Sequence, residues 1–325
     1  MAKPRVYVCR ALPDPALAIV RAVADVRLWE REDVPPPRDV LLREIAECEG
    51  VLTLLTDRVD EEFLSRSPRL RVVANMAVGF DNIDVPAATR ARVVVTNTPD
   101  VLTETTADFA FTLILAAARR LVEADAFTRA GNWKTWSPML LAGQDVHHAT
   151  LGLVGLGRIG SAVARRAKGF EMRVIYYDPV RRQDLESQLG IEFRAMDEVL
   201  KSADIISVHV PLMAETRHLI GREQFKMMKR SAVFVNAARG PIVDQAALAE
   251  ALRTRTIYAA GIDVFEQEPV SAGDPLLSLE NVVVAPHIAS ASIPTRTRMA
   301  TLAAENVAAV LQGKRPPTPV NPEIL

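Results

Sequence analysis

Residues 149–178 read ATLGLVGLGRIGSAVARRAKGFEMRVIYYD. The apolar run at 151–154 predicts a buried parallel strand, and it ends at Gly155, Gly157 and Gly160, which form the pattern G-x-G-x-x-G. In this pattern the first glycine permits a tight turn, the second lets the backbone approach a pyrophosphate, and the third allows close helix packing. The stretch therefore predicts a dinucleotide-binding unit, with the anion on the free N–H groups at the helix start.

The acid that follows this motif bears on the choice of dinucleotide. The predicted helix covers about 158–168, a second strand covers 173–177, and Asp178 stands 18 residues after the third glycine. A carboxylate at that distance accepts hydrogen bonds from the adenosine ribose and repels a 2′-phosphate, which favours NAD. Arg181 and Arg182 come directly after and would attract a 2′-phosphate, so NADP stays an alternative. We weigh Asp178 more heavily.

Composition limits the function classes. The chain has 325 residues, 49% hydrophobic and 24% charged, which is typical of a globular protein with room for two domains. A formal net charge of -1 gives no general attraction to nucleic acid or anionic membranes. We find no apolar run of about 18 residues and no signal-peptide pattern. Cys9 and Cys48 are too few for a disulfide framework or a zinc site, so we expect a cytoplasmic protein without a metal.

The remaining chain alternates between strand-like and helix-like segments on both sides of the dinucleotide unit. Predicted strands lie at 6–9, 51–55, 72–75, 93–96, 191–194, 205–210, 233–236, 257–262 and 282–285. Helical spacing is found at 15–24, 38–48, 103–130, 196–201, 222–229, 244–253 and 294–312. We therefore predict the α/β class, with two Rossmann-like or flavodoxin-like domains that contain parallel sheets and have a cleft between them.

An aromatic-bearing arm precedes the dinucleotide unit. Residues 132–144 contain Trp133 and Trp136 without a clear period. Such an arm is a candidate for a subunit contact, and packing onto its own domain is the alternative.

Three polar residues stand where predicted strands of the second half end: Arg239, Glu268 and His287. Open α/β sheets bind ligands at the carboxyl ends of their strands, so we expect all three to face the cofactor crevice. His287 can supply or remove the proton that accompanies hydride transfer. Glu268 would orient the imidazole and favour its protonated form, and the Arg239 guanidinium can bind a carboxylate and a carbonyl oxygen at once. Taken singly, each would more often be structural.

The other four histidines do not share this placement. Two precede the first strand of the unit and two flank a loop, at positions 147, 148, 209 and 218.

The order of these motifs resembles the D-2-hydroxyacid dehydrogenase family over nearly the whole chain. The carrying motifs are the dinucleotide pattern, Asn236-x-x-Arg239-Gly240, the stretch from Asp263 to Pro269, and Pro286-His287. The segments 73–84 and 98–103 most resemble the glyoxylate and hydroxypyruvate reductases. The resemblance implies NAD(P)H-dependent reduction of glyoxylate or hydroxypyruvate to glycolate or D-glycerate, with His287 as the acid and base.

The resemblance also implies further site residues. Backbone groups of Val78 and Gly79 would hold the substrate carboxylate together with Arg239, although a plain glycine turn explains this loop equally well. Thr106 and Asp263 would contact the nicotinamide half of the cofactor. The remaining predicted cofactor contacts are Gly155, Gly157, Arg158, Ile159, Gly160, Asp178, Pro211, Ala237 and His287.

In this family the dinucleotide domain is inserted into the substrate domain. The resemblance therefore implies a substrate domain of residues 1–97 plus 289–325, a dinucleotide domain of 98–288, and a homodimer formed through the arm. One alternative is a dehydrogenase for another D-2-hydroxy acid, such as D-lactate or D-3-phosphoglycerate. The other is an NAD-sensing interaction protein like the C-terminal-binding-protein corepressors, which keep the same three polar residues.

Overall fold

The structure is a computed structural model that describes residues 3–325. The chain divides into two compact units: one holds the residues up to Leu102 together with Ala291–Leu325, and the other holds Thr103–Ser290. Each unit contains one parallel sheet with helices, so the predicted α/β class is confirmed. Within the described residues, no helix is both long and apolar enough to cross a membrane.

Over residues 3–325, the two sheets contain twelve strands. They are β1 Arg5–Val8, β2 Asp25–Leu28, β3 Gly50–Thr53, β4 Val72–Asn75, β5 Val94–Thr96, β6 Thr150–Val154, β7 Arg173–Tyr177, β8 Glu192–Phe193, β9 Ile205–Val208, β10 Val233–Asn236, β11 Ala259–Ile262 and β12 Val282–Val284.

Twelve α-helices accompany them in the described part of the chain. They are α1 Asp14–Val23, α2 Arg38–Glu44, α3 Glu61–Arg66, α4 Val85–Arg90, α5 Thr103–Ala118, α6 Leu121–Arg129, α7 Arg158–Ala167, α8 Gln183–Leu189, α9 Met196–Ser202, α10 Arg222–Met227, α11 Gln245–Arg253 and α12 Ile293–Leu311.

The first unit has the flavodoxin-like strand order β2-β1-β3-β4-β5. Every residue of β3 and β4 is buried, as expected for parallel strands covered on both faces. The last helix, α12, returns to this unit and packs against α1 and β4. The tail beyond it is fixed by the buried Asn321, whose side chain accepts from the Val95 N–H at 2.8 Å and donates to the Val93 carbonyl at 3.0 Å.

The second unit has the order β12-β11-β10-β9-β6-β7-β8. Counted from β6, this is the Rossmann order 3-2-1-4-5-6 with β12 added as a seventh strand. The order of the strands reverses between β6 and β9, which is where open α/β sheets bind dinucleotides. The glycine motif follows β6 and therefore lies at this point.

Several predicted boundaries change in the structure. The helical region 103–130 is two helices, separated at Arg119 and Arg120, where Arg120 has φ 53°. The predicted strand 205–210 ends at Val208, so His209 is the first residue after it. Strand β2 was not predicted, because it is a half-exposed edge strand without an apolar run.

Candidate active site

The glycine turn between β6 and α7 is shaped by contacts that exclude side chains. Gly155 has φ 97°, and a Cβ there would lie 2.9 Å from the carbonyl carbon and oxygen of His209. A Cβ on Gly160 would lie 2.3 Å from the Gly155 oxygen, so this glycine lets α7 start directly against the turn. A Cβ on Gly157 would meet no atom within 4 Å. The open side at Gly157, beside the helix start, fits the pyrophosphate of a dinucleotide.

Asp178 directly follows β7 and is tied to this turn. Its Oδ2 accepts a hydrogen bond from the Leu156 N–H at 2.8 Å, and its Oδ1 accepts from the Val180 N–H at 3.0 Å. Because each carboxylate oxygen can accept two hydrogen bonds, both retain a lone pair for ribose hydroxyls.

The other predicted cofactor residues occupy several elements. Arg158 and Ile159 form the first turn of α7, Pro211 follows β9, and Ala237 directly follows β10. Thr106 differs from these, because it is buried in the first turns of α5.

The three polar residues singled out in the sequence follow three adjacent strands. Arg239 comes after β10, Glu268 after β11 and His287 after β12. The structure brings two of them into direct contact, since His287 Nδ1 lies 2.7 Å from Glu268 Oε2. Their side chains are 23% and 29% exposed, respectively, which leaves the pair reachable from solvent.

The environment of Glu268 fixes the role of each imidazole nitrogen. Burial acts to raise the pKa of Glu268, but the hydrogen bond and charge of His287, the Phe265 N–H and the Arg239 guanidinium together bring it below its ordinary value. The group is therefore an ionised carboxylate at neutral pH, which can only accept. Nδ1 of His287 must then carry a proton, and Nε2 is the nitrogen left to exchange one with a ligand.

Two neighbours in the same motif, Asn236 and Gly240, fix the turn that carries Arg239. The buried Asn236 donates from Nδ2 to the Arg239 carbonyl at 2.9 Å, and its Oδ1 accepts from the Ala238 N–H at 3.0 Å. A Cβ on Gly240 would lie only 1.8 Å from the Phe265 oxygen. The turn that carries Arg239 thus touches the backbone of the segment that carries Glu268.

The backbone of His287 is held by Asp263, which is fully buried. The two carboxylate oxygens of Asp263 accept from the N–H groups of Ile288 and Ala289, each at 2.7 Å, and its carbonyl accepts from the His287 N–H at 2.8 Å. His287 has φ 56°, a conformation that costs energy for a residue with a side chain. Burial raises the pKa of Asp263, while the two backbone N–H groups oppose that shift.

Residues 111–289 match the family described as D-isomer specific 2-hydroxyacid dehydrogenase, NAD binding domain. This match spans more than half of the chain. The chain belongs to the D-2-hydroxyacid dehydrogenase family. It is an NAD(P)-dependent 2-hydroxyacid dehydrogenase, as its motifs predicted.

Relatives and solved structures agree with this assignment. A protein of Korarchaeum cryptofilum named glyoxylate reductase is 53% identical over 324 residues, covering 99% of this chain and 97% of its own. A crystal structure of a protein from Thermus thermophilus gives a TM-score of 0.92 at 45% identity, covering 97% of this chain and 99% of its own. The NADPH-dependent glyoxylate/hydroxypyruvate reductase of Sinorhizobium meliloti, in complex with NADP and malonate, gives 0.83 at 34%, covering 98% and 97%.

The dehydrogenase has a second histidine, His209, at the same edge of the sheet. The sequence analysis did not select this residue. His209 follows β9, and its Nε2 lies 2.9 Å from the Ser207 hydroxyl. Burial lowers the pKa of His209 to about 4. The signal was present in the sequence, because the strand-end rule that selected His287 also selects the residue after Val208.

The predicted substrate loop of the dehydrogenase lies in the first unit, after β4. The buried Asn75 donates to the Gly79 carbonyl at 3.0 Å and to Asn82 Oδ1 at 3.1 Å, and Asn97 donates to the Val78 carbonyl at 2.8 Å. Both carbonyls are thus engaged by the loop itself. The N–H groups of Val78 and Gly79 are the backbone groups that a carboxylate can use.

Proposed function

We propose that this dehydrogenase reduces glyoxylate or hydroxypyruvate with NADH, giving glycolate or D-glycerate. The proposal rests on the 2.7 Å contact between His287 and Glu268, which follow β12 and β11, while Arg239 follows β10, the next strand of the same sheet edge after β11. Relatives about 50% identical over nearly the whole chain are named glyoxylate reductase, which supports this substrate class.

The reduction needs a proton at the carbonyl oxygen of the 2-oxo acid. A nicotinamide cofactor, once bound, would supply the hydride to the carbonyl carbon. His287 donates the proton from Nε2, while Glu268 keeps the Nδ1 proton in place and stabilises the imidazolium that precedes transfer. In the oxidative direction the neutral imidazole accepts the proton from the hydroxyl.

Arg239 has the chemistry to orient the 2-oxo acid. Its guanidinium stays charged and can donate to the carboxylate and to the carbonyl oxygen at the same time. We assign the first unit as the substrate domain and the second as the dinucleotide domain, with the N–H groups of Val78 and Gly79 as further donors to the substrate carboxylate.

The proposed preference for NADH rests on Asp178. Its carboxylate directly follows β7 beside the glycine turn and would repel a 2′-phosphate while accepting from ribose hydroxyls. The Sinorhizobium meliloti enzyme is described as NADPH-dependent, which differs from the preference proposed for this chain.

A homodimer is proposed from the surface of the second unit. Trp133, Trp136 and Met139 are 61%, 76% and 77% exposed, an unusual state for large apolar side chains on a monomer. A groove of about 770 Å³, lined by residues of α5 and α6, by Tyr258 and by β12, lies in the same unit. Light scattering of the purified protein should give twice the mass of 35.6 kDa, and a monomeric mass would contradict the dimer.

We propose a cytoplasmic location for the enzyme, because Cys9 and Cys48 are both unpaired.

The test of the proposed function is a panel of initial rates. Glyoxylate, hydroxypyruvate, pyruvate and 3-phosphohydroxypyruvate are each supplied with NADH and with NADPH. We expect the fastest turnover with the first two acids and NADH. Faster turnover of pyruvate or the phosphorylated acid would reassign the substrate, and no turnover despite NADH binding would favour an NAD-sensing protein.

A further inference from the structure

Two arginines follow Asp178 in the loop between β7 and α8, and both are engaged by acids of α8. Arg181 donates from Nε and Nη2 to the two carboxylate oxygens of Glu186, each at 2.8 Å. Arg182 donates in the same way to Asp184, at 3.1 and 2.9 Å. Both contacts are bidentate, so each carboxylate uses the fork of two parallel N–H groups that a phosphate would otherwise use.

The pair made by Glu186 is held at a third point. The buried Tyr176 donates from its hydroxyl to Glu186 Oε1 at 2.8 Å, and the same hydroxyl accepts from the Arg182 N–H at 2.8 Å. The Glu186 side chain is only 17% exposed, and the Arg181 guanidinium lies 5.7 Å from the ring centre of Phe193. The hydrogen bond from Arg181 is the main cause that lowers the pKa of Glu186, to about 2, so this carboxylate is charged at any working pH.

The loop adjoins the end of β7 where the adenosine ribose would bind. Arg182 lies close enough to Asp178 for the carboxylate to act on the Arg182 charge. Both arginines belong to the segment that directly follows Asp178, and an unpaired guanidinium in that segment would attract a phosphate. With α8, each has a carboxylate partner within the same short segment, and Asp178 adds a third negative charge.

We propose that Glu186 and Asp184 are specificity-determining residues that keep Arg181 and Arg182 from binding the 2′-phosphate of NADPH. This inference rests on the proposed preference for NADH and adds two acids to the one predicted from the sequence. Discrimination then comes from two effects: repulsion by Asp178, and prior occupation of both arginine forks.

The test replaces the two acids by their amides. In the Glu186→Gln/Asp184→Asn variant we expect kcat/KM with NADPH to rise about fivefold, because an ion pair with at least one solvent-exposed partner contributes only a small free energy, while the value with NADH stays within about twofold. Glu192→Gln is the matched control, since Glu192 makes the same bidentate contact with Arg173, at 2.9 Å for both bonds, at the opposite end of β7. This control should leave kcat/KM unchanged with NADH and with NADPH. An unchanged NADPH value in the double variant would overturn the proposal.

A binding measurement separates this proposal from the proposed function. Adenosine 2′,5′-bisphosphate should bind the double variant more tightly than wild type by titration calorimetry, whether or not any 2-oxo acid is turned over. Equal affinity would overturn the inference even in an active enzyme. The Arg181→Gln/Arg182→Gln variant, in which Glu186 and Asp184 are left unchanged, should keep the NADPH selectivity of the wild type. A clear loss there would show that the arginines already bind the phosphate, which also contradicts the inference.

Discussion

Two histidines of the second unit have similar positions and different surroundings. His287 follows β12 with an ionised carboxylate on Nδ1, and His209 follows β9 with the Ser207 hydroxyl on Nε2. A carboxylate stabilises an imidazolium, whereas a hydroxyl in a buried setting does not, and burial lowers the pKa of His209 to about 4. The hydrogen-bond partner of the imidazole, rather than its place at the strand end, therefore decides which histidine can donate and regain a proton.

The backbone conformations at His209 and His287 also differ. The His209 N–H continues the ladder by donating to the Val154 carbonyl at 2.7 Å, and the His209 carbonyl packs against Gly155. His287 has left the strand and is held at φ 56° by Asp263. His209 therefore supports the shape of the glycine turn, and His287 is displayed toward a ligand.

Removing the two imidazoles in turn should give very different losses of activity. His287→Ala should lower kcat by about 10²- to 10⁴-fold, because the proton donor is lost. NADH binding, followed by fluorescence titration, should remain. His209→Gln should retain most of the activity. Near-wild-type rates for His287→Ala, or equal losses in both variants, would refute the distinction.

The second prediction exchanges the charged partner for a neutral one. Glu268→Gln should lower kcat for reduction by about 10- to 100-fold, the scale of a hydrogen bond to a charged group. Because the pKa of Glu268 lies below its ordinary value, the carboxylate is ionised at neutral pH, and only the variant lacks a charged acceptor for the Nδ1 proton. Initial rates of reduction and of oxidation at pH 7 would show the loss, and near-wild-type rates in both directions would argue against the pair.

The third prediction concerns the support beneath His287. The Asp263 carboxylate accepts hydrogen bonds from two backbone N–H groups, and Asp263→Asn would place an amide N–H₂ against one of them. We expect a loss of about 1–3 kcal/mol in unfolding free energy, measured in urea, together with lower activity. Asp244→Asn, at the start of α11, serves as control because its side chain accepts only the Ala247 N–H. A stability loss no larger than in the control would show that Asp263 does not support the backbone at His287.

The smallest expected effect concerns His209 and acid. Its folded pKa of about 4 lies below the ordinary 6.5, so the unfolded state binds the extra proton first. The stability that His209 contributes is therefore fully present above pH 6.5 and is lost as pH falls toward 4. Between pH 7 and 5 we expect wild type to lose about 1–2 kcal/mol more than His209→Gln in urea titrations. Parallel curves for the two proteins would contradict this assignment.

The sequence allowed the local parts of this site to be predicted. The glycine turn and the residues after β10, β11 and β12 depend on short patterns and on the strand-end rule. His209 was passed over because its strand was predicted two residues too long. The return of α12 to the first unit and the forks of Arg181 and Arg182 depend on contacts between distant or flexible groups, which periodicity does not encode.

The near-collision at Gly240 has a consequence for protein engineering. Since no side chain fits between this glycine and the Phe265 oxygen, the Arg239 turn and the Glu268 segment form a single building block. A chimaera that takes only one of these two segments from a relative with another substrate range would place two backbones that do not match in direct contact at Gly240 and Phe265. Grafts intended to redirect this enzyme should therefore cut before Asn236 and after Pro269, and carry the whole interval across in one piece.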